Sequence, residues 1–211
     1  MIVDLKNKHF LASGDNRQCF FHPYDENLCV KVLHPHREMK IQTRELSYYN
    51  ALAKRKISWR RLAKMEAPIQ TNLGLGLVFE VVRDFDGQIS KTLHHYLSLE
   101  DPAMDRVITK EIKRLKKYLY TEAIVFRDLI TLNILLQRTS DNEFKAVIID
   151  GIGHNDFIPF CNYSVGYSRK KIVRTWNRKK AHWFDQYAAI KDKIHLMDAQ
   201  RIKSYFLEKH H

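Results

Sequence analysis

The chain of 211 residues has few of the residues that mark special chain types: 7 glycines, 5 prolines and 3 cysteines. Such low glycine and proline contents exclude a collagen-like or low-complexity chain. No window approaches the roughly 18 uninterrupted apolar residues of a membrane-spanning helix, and the N-terminus lacks the apolar stretch of a signal peptide. Hydrophobic residues still make up 45% of the sequence, so we expect an ordinary globular protein with a core.

The three cysteines, Cys19, Cys29 and Cys161, are odd in number and do not have the spacing of a metal site. We therefore interpret them as reduced thiols in a cytoplasmic protein. The 11 histidines include an adjacent pair, His94 and His95, whose side chains point to different sides of any helix or strand. The histidines form no convincing ligand set, and we expect them at the surface.

Acidic residues are scarce, 24 against 36 basic ones, which gives a formal net charge of +12. Two stretches, 51–65 and 157–184, contain no acid at all. Their basic residues are Lys54, Arg55, Lys56, Arg60, Arg61 and Lys64 in the first, and Arg169, Lys170, Lys171, Arg174, Arg178, Lys179 and Lys180 in the second. This balance favours an anionic partner: nucleic acid, acidic lipid, or a phosphorylated or carboxylated sugar. Trp176 and Trp183 in the second stretch suit either peripheral contact with an anionic membrane or packing into the core with the basic residues in solvent.

The hydrophobic pattern predicts strands first and helices later. Strands are expected at 10–12, 18–21, 28–33, 75–82, 133–136 and 146–150, and helices at 38–56, 92–96, 105–122 and from 167 onward. In the helix at 38–56, apolar and aromatic residues at spacings of three and four gather on one side with Glu45. This order of elements is typical of an α+β protein.

Three polar residues in the second half suggest a chemistry. Asp128 and Asn133 lie five residues apart in Phe126-Arg-Asp-Leu-Ile-Thr-Leu-Asn, and Asp150 ends the apolar run Val147-Ile-Ile-Asp. The pattern resembles the kinase catalytic loop, H-R-D-L-x-x-x-N, and the metal-binding D-F-G that follows it. Phosphoryl transfer needs a carboxylate near the acceptor hydroxyl and oxygen ligands for Mg²⁺. We therefore predict that Asp128 is catalytic and that Asn133 and Asp150 bind Mg²⁺.

A lysine and a glutamate in the first half agree with this interpretation. Lys31, in Cys29-Val-Lys-Val, matches the strand lysine that binds the α- and β-phosphates of ATP in kinases. Glu45, on the helix that follows, is expected to form an ion pair with Lys31 and to fix its position.

The remaining ATP contacts are assigned to two short segments. Ser13 and Gly14 belong to the expected phosphate-covering loop, which has a single glycine and so departs from G-x-G-x-x-G. Arg17 could add positive charge to this loop. Glu80 and Val82, just before the hinge-like turn Asp84-Phe-Asp-Gly, complete the predicted ATP site.

More narrowly, the chain resembles the YrbL family of enterobacterial kinase-like proteins of the PhoP regulatory network. The matching stretches, between residues 11 and about 160, are Cys19-Phe-Phe-His-Pro, Val30-Lys-Val, Arg44-Glu-Leu-Ser-Tyr-Tyr, Asp84-Phe-Asp-Gly and Asn133-Ile-Leu. The resemblance implies a kinase-like fold. More distantly related kinase-like enzymes phosphorylate heptose or Kdo in the lipopolysaccharide core, at the cytoplasmic side of the inner membrane. This likeness, and no residue by itself, implies a sugar acceptor.

Some positions depart from the protein-kinase pattern. Phe126 stands where the usual histidine of the catalytic loop would be, and Ile130 replaces a lysine that protein kinases often carry. No A-P-E sequence follows Asp150, and the segment 151–167 is too short for a regulated activation loop. These departures favour a small-molecule kinase over a protein Ser/Thr kinase.

We therefore predict an α+β, two-lobed protein-kinase-like fold with a minimal helical C-lobe, divided into residues 1–84 and 85–211. The predicted function is ATP- and Mg²⁺-dependent phosphorylation of a hydroxyl group on a sugar of a cell-envelope glycan or lipopolysaccharide. The first alternative is a pseudokinase or regulatory protein that binds nucleotide without turnover. A nucleic-acid-binding protein is a third hypothesis, which depends only on the charge and the tryptophans.

Overall fold

A computed structural model of the chain describes residues 2–99, 101–154, 156 and 160–183, with the backbone alone for 179–183. These residues form a five-stranded sheet, a two-stranded sheet and five α-helices. Neighbouring strands run antiparallel in both sheets. The α+β class predicted from the sequence is therefore confirmed.

The larger sheet comes from the first 80 residues. Its strands are β1 (Phe10–Ser13), β2 (Arg17–His22), β3 (Asp25–Leu33), β4 (Ile69–Thr71) and β5 (Gly74–Glu80), arranged in the order β1-β2-β3-β5-β4. Strand β4 is absent from the sequence-based prediction because its three residues are too few to show an alternating pattern. Val3 forms a parallel bridge with Thr71 and extends the sheet edge at β4.

Successive side chains of β3 point to opposite faces of this sheet. Val30 and Val32 pack with Val78 in a small apolar cluster on one face. Lys31 lies on the other face, where its ammonium group is 4.5 Å from the centre of the Phe79 ring. Helix α1 (Met39–Lys54) covers that face and buries Gln42, Glu45, Tyr48, Tyr49 and Leu52. The helix therefore brings Glu45 to the same side of the sheet as Lys31.

Two helices with capped N-termini follow the sheet: α2 (Leu93–Ser98) and α3 (Pro102–Thr121). The side chain of Thr92 accepts a hydrogen bond from the amide of His95, and that of Asp101 accepts one from the amide of Ala103. Helix α3 buries one apolar face, made of Ile108, Ile112, Leu115, Tyr118 and Leu119. On α2, His94 is only 6% exposed, which corrects the expectation that the histidines lie at the surface.

The second sheet is a hairpin of β6 (Ile134–Arg138) and β7 (Phe144–Ile148). Leu62 forms a parallel bridge with Ile148, so the segment after α1 joins the outer side of β7. Helices α4 (Phe160–Tyr163) and α5 (Val165–Trp183) complete the described chain. Trp176 of α5 is 8% exposed and packs edge-on against Phe126 at 5.9 Å between ring centroids. Of the two alternatives for Trp176, membrane contact and packing in the core, the structure therefore supports packing in the core.

One apolar core connects the larger sheet to the helices. It contains Leu77 and Phe79 of β5, Tyr48 of α1 and residues of α3, β6 and β7. The division into 1–84 and 85–211 remains a prediction, and its last part, 184–211, lies outside the described residues. None of the helices in the described ranges has the length and apolar character needed to cross a membrane.

Candidate active site

The centre of the candidate site is a buried lysine beside a carboxylate. Lys31 is 9% exposed, and its ammonium group donates a 2.6 Å hydrogen bond to the carbonyl oxygen of Ile149. The same group lies 3.7 Å from a carboxylate oxygen of Asp150. Strand β3 thereby meets Asp150, which lies two residues past the end of β7 and 119 positions after Lys31 in the sequence. Lys31 and Asp150 are therefore close in space.

The turn after Asp150 connects it to Asp128. The carbonyl oxygen of Gly151 accepts hydrogen bonds from the amides of Arg127, at 2.8 Å, and Asp128, at 3.0 Å. Gly151 has φ +82°, and a Cβ atom there would lie 1.7 Å from the carbonyl oxygen of Asp128. Only glycine fits such a conformation at so close an approach. The sequence Asp150-Gly151 therefore positions the backbone of Arg127 and Asp128 beside the predicted metal ligand.

Asn133 belongs to the same backbone network. Its side-chain nitrogen donates a 3.0 Å hydrogen bond to the carbonyl oxygen of Asp128, and its own carbonyl oxygen accepts one from the amide of Ile149 at 2.9 Å. Because the nitrogen is engaged with Asp128, the amide oxygen is the atom that a metal ion would use. Asp128 itself is exposed, whereas Asp150 is partly buried. The two loops therefore bring Asp128, Asn133 and Asp150 together.

Glu45 does not have the partner predicted for it. Its carboxylate forms an ion pair with the guanidinium group of Arg17, in a direct contact between two buried side chains. The same guanidinium lies 3.5 Å from a carboxylate oxygen of Asp150. The expected Lys31–Glu45 ion pair is thus replaced by two others, Arg17–Glu45 and Lys31–Asp150. The reason is that Arg17, from the neighbouring strand, enters the space between Glu45 and Asp150.

The position of Arg17 depends on the register in which β2 pairs with β3, and the sequence did not reveal this register. Cys19 pairs with Lys31 across β2 and β3, and Arg17 pairs with Leu33 two positions along. Residues two apart on a strand share a face, so Arg17 points to the same side as Lys31. The alternation in Arg17-Gln-Cys-Phe-Phe contained this signal, but reading it required the pairing of the strands.

The charges of the site act on one another. Burial raises the pKa of Asp150, but Lys31 and Arg17 outweigh this and hold its pKa at about 2. Burial lowers the pKa of Lys31, but Asp150, Glu45 and Cys19 together raise it by more, so the pKa lies above its ordinary value. Burial raises the pKa of Glu45, and Arg17 opposes that change. At neutral pH, Asp150 is therefore ionised and Lys31 is protonated.

The other predicted ATP contacts lie in segments around this centre. Ser13 ends β1, and its hydroxyl lies 3.4 Å from His34, whose ring also contacts the carbonyl oxygen of Gly14 at 2.9 Å. Glu80 is exposed at the end of β5. The carbonyl oxygen of Val82 accepts a 3.1 Å hydrogen bond from the amide of Ser90. The role of these residues in binding ATP remains a prediction.

Several basic residues of the acid-poor stretches have structural partners. Arg55 donates hydrogen bonds to the carbonyl oxygens of Glu122 and Ala123, just past the end of α3. Arg61 forms a 2.8 Å ion pair with Glu111, and its side chain is only 11% exposed. Arg169 donates to the carbonyl oxygens at the end of α3, at 3.2 Å. These charges satisfy internal groups, so a basic stretch in the sequence is not by itself a binding surface.

One further cluster combines residues that bind metals in other proteins. The ligand atoms of His154, Asp156 and Cys161 lie within 4.8 Å of one another. Both carboxylate oxygens of Asp156, however, contact the ammonium group of Lys171. A cation therefore already neutralises the only carboxylate of the cluster.

The fold and the site define an α+β protein in which a buried lysine of the five-stranded sheet meets the loops that carry Asp128 and Asp150. The family described as PhoP regulatory network protein YrbL matches residues 3–182 of the chain. YrbL of Escherichia coli (strain K12) is 34% identical over 185 residues, which cover 84% of this chain and 86% of that protein. YrbL of Shigella flexneri matches with the same figures. The chain belongs to the YrbL family, which confirms the resemblance seen in the sequence.

Proposed function

We propose that the chain has a protein-kinase-like fold and transfers the γ-phosphoryl group of ATP to a hydroxyl acceptor. The observation that supports this most strongly is that four residues from distant parts of the sequence lie close together. Lys31 of β3 lies 3.7 Å from Asp150, while Asn133 is hydrogen-bonded to the backbone of Asp128 at 3.0 Å. Phosphoryl transfer uses such a set: a cation for the phosphates, oxygen ligands for a metal ion and a carboxylate for the acceptor.

The residues fit a bound Mg²⁺ ion. Mg²⁺ prefers carboxylate and amide oxygens, and Asp150 with a pKa of about 2 is ionised throughout the physiological range. Asp150 and Asn133 would hold the ion, which would neutralise charge on the phosphates. Lys31 would then bind phosphate oxygens. The exposed carboxylate of Asp128 would orient the acceptor hydroxyl and take its proton.

Nucleotide binding can be tested by thermal unfolding. At about 100 times its dissociation constant, ATP with Mg²⁺ should stabilise the wild-type protein by roughly 2.7 kcal/mol. For a chain of this size we expect a rise in Tm of about 5–10 °C. Lys31→Met and Asp150→Asn should abolish the rise, because each removes a charge that faces the phosphates or the metal.

Lys64→Met is the matched control, since Lys64 forms an ion pair with Glu66 on the surface at 2.7 Å. This variant should show the same ligand-induced rise as the wild type. If ATP with Mg²⁺ raises the Tm of none of the proteins, the proposed nucleotide site does not exist.

For the acceptor, we propose a hydroxyl of a cell-envelope sugar, at the cytoplasmic side of the membrane. The proposal depends on the resemblance to heptose and Kdo kinases and on exposed positive charge. Helix α5 carries Lys170, Arg174 and Arg178 at intervals of four, all exposed, so they share a helical face. Lys179, Lys180 and Trp183, also assigned to it from the sequence, lie outside the described side chains.

Vesicle co-sedimentation tests whether this face binds an anionic membrane. Each basic residue near an anionic leaflet contributes about 1 kcal/mol, so changing Lys170, Arg174 and Arg178 to Gln should weaken binding roughly 100-fold at low salt. The control variant changes the exposed residues Lys8, Lys40 and Lys54 to Gln and removes the same charge elsewhere. Equal loss in both variants, or equal binding to neutral vesicles, would argue against a membrane-facing α5.

A second candidate function is nucleotide binding without turnover. The loop between β1 and β2 favours it, because Gly14 is its single glycine and the amide of Gly14 is bonded to the carbonyl oxygen of Arg17 at 2.8 Å. A loop with one glycine can adopt fewer of the backbone conformations that allow close contact with phosphates than a loop with three glycines. The variant that distinguishes the two functions is Asp128→Asn.

A further inference from the structure

Four charged side chains in the candidate site lie next to one another, and their charges balance. Arg17 and Lys31 provide two positive charges, and Glu45 and Asp150 provide two negative ones. Arg17 contacts Glu45 and lies 3.5 Å from Asp150, while Lys31 lies 3.7 Å from Asp150. The side chains of Arg17, Lys31 and Glu45 are 8%, 11% and 5% exposed. The set is electrically balanced without any ligand.

Stability alone does not explain this arrangement. Buried ion pairs contribute little to folding compared with apolar side chains of similar size, because each charge must be removed from water. An arginine is also costly to bury, since it does not lose its proton. We therefore expect these four charged side chains to have a role other than stabilising the fold.

Ligand binding would disturb the balance at Asp150. If a divalent cation binds Asp150, it repels the two positive groups that now lie beside that carboxylate. Lys31 and Arg17 would then need new anionic partners. The phosphates of a nucleotide supply them, and the planar guanidinium group is suited to bind two phosphate oxygens at once.

We propose that Arg17 is a second phosphate-binding residue, which holds Glu45 and Asp150 in place in the free protein and turns to the phosphates when nucleotide and metal bind. The position of Arg17 supports this, because it directly follows the loop 14–16 between β1 and β2. The inference rests on the proposed nucleotide site. It adds a residue that the sequence pattern of kinases does not assign, since a glycine ends the phosphate loop in that pattern.

The test compares ligands that differ only in phosphate. Affinities for adenosine, ADP with Mg²⁺ and ATP with Mg²⁺ are measured by calorimetry on the full chain. Arg17→Gln alone would leave Glu45 buried without its partner, so the principal variant is the double change Arg17→Gln with Glu45→Gln. The matched control is Arg61→Gln with Glu111→Gln. It neutralises another buried ion pair, of 2.8 Å, which joins the segment between α1 and β4 to α3.

We expect the double variant to bind adenosine within about twofold of the wild type and to bind both phosphorylated ligands about 10- to 100-fold more weakly. A loss of this size corresponds to one charge-assisted hydrogen bond. The control should bind all three ligands like the wild type. If the double variant keeps wild-type affinity for ATP with Mg²⁺, Arg17 has only a structural role and the inference is wrong.

Two further outcomes separate this inference from the proposed function. If the wild type binds none of the three ligands, the nucleotide site itself is wrong, and the assignment of Arg17 is lost with it. If the double variant does not fold, Arg17→Lys serves instead, because it keeps the charge near Glu45 but not the planar fork. Arg17→Lys should bind adenosine normally and ATP with Mg²⁺ several-fold more weakly, and unchanged affinity for ATP would overturn the inference.

Discussion

Asp128→Asn should bind ATP with Mg²⁺ as the wild type does and should lose most of its turnover, roughly 10²- to 10⁴-fold. Asparagine has the size and shape of aspartate but cannot take a proton from the acceptor hydroxyl. The bonds that hold this loop use the backbone of Asp128, since its amide donates to Gly151 at 3.0 Å and its carbonyl oxygen accepts from Asn133. The substitution should therefore leave the loop and the nucleotide site in place.

The measurement is the Mg²⁺-dependent formation of ADP from ATP, with water and with lipopolysaccharide-core sugars as acceptors. Nucleotide affinity is determined on the same samples by calorimetry. Asp141→Asn is the control, because Asp141 is an exposed aspartate in the turn between β6 and β7. Equal turnover in Asp128→Asn and the control would favour the candidate function without phosphoryl transfer.

The sequence predicted most of the strands and helices because the strong periodic patterns coincide with burial. Helix α3 was expected at 105–122 and spans Pro102–Thr121, one turn earlier at its start, where Asp101 caps it. Strand β5 was expected at 75–82 and spans Gly74–Glu80. Long segments with a consistent apolar face are predictable because that face must be buried against the core.

The charged residues were predicted less well. Glu45 and Lys31 were correctly expected on the same side of the sheet, but Glu45 pairs with Arg17. The length of the side chains and the register of the strands decide which cation a carboxylate contacts. Neither can be read from the spacing of apolar residues in the sequence. For the same reason Arg61 looked like part of a basic patch, although it lies against Glu111 at 2.8 Å.

Trp176 shows a related limit of sequence patterns. In the sequence it lies among lysines and arginines, as a residue of a membrane-binding face does. In the structure, Ile172 and Trp176 are buried while Lys170 and Arg174 are exposed, because residues four apart share one face and those two apart do not. The helix is amphipathic, and its apolar side faces the core.

The glycine after Asp150 should be the most sensitive single position of the site. In Gly151→Ala the new Cβ would lie 1.7 Å from the carbonyl oxygen of Asp128 and 3.0 Å from the side-chain nitrogen of Asn133, so the loops must separate. A non-glycine residue at φ +82° also carries backbone strain of about 1–3 kcal/mol. We expect a marked fall in Tm and no stabilisation by ATP with Mg²⁺, since Asp128, Asn133 and Asp150 would all be displaced.

Gly87→Ala separates the strain from the collision. Gly87 has φ +83°, almost the same as Gly151, but a Cβ atom there has no heavy atom within 4 Å apart from its chain neighbours. The Tm of Gly87→Ala should fall by about 2–12 °C from strain alone, and its response to ATP should remain normal. The Tm of Gly151→Ala should fall further, by an amount that reports the forced separation of the two loops. If both variants melt at the same temperature and both respond to ATP, the close contact between the Asp150 turn and the Asp128 loop does not support the nucleotide site.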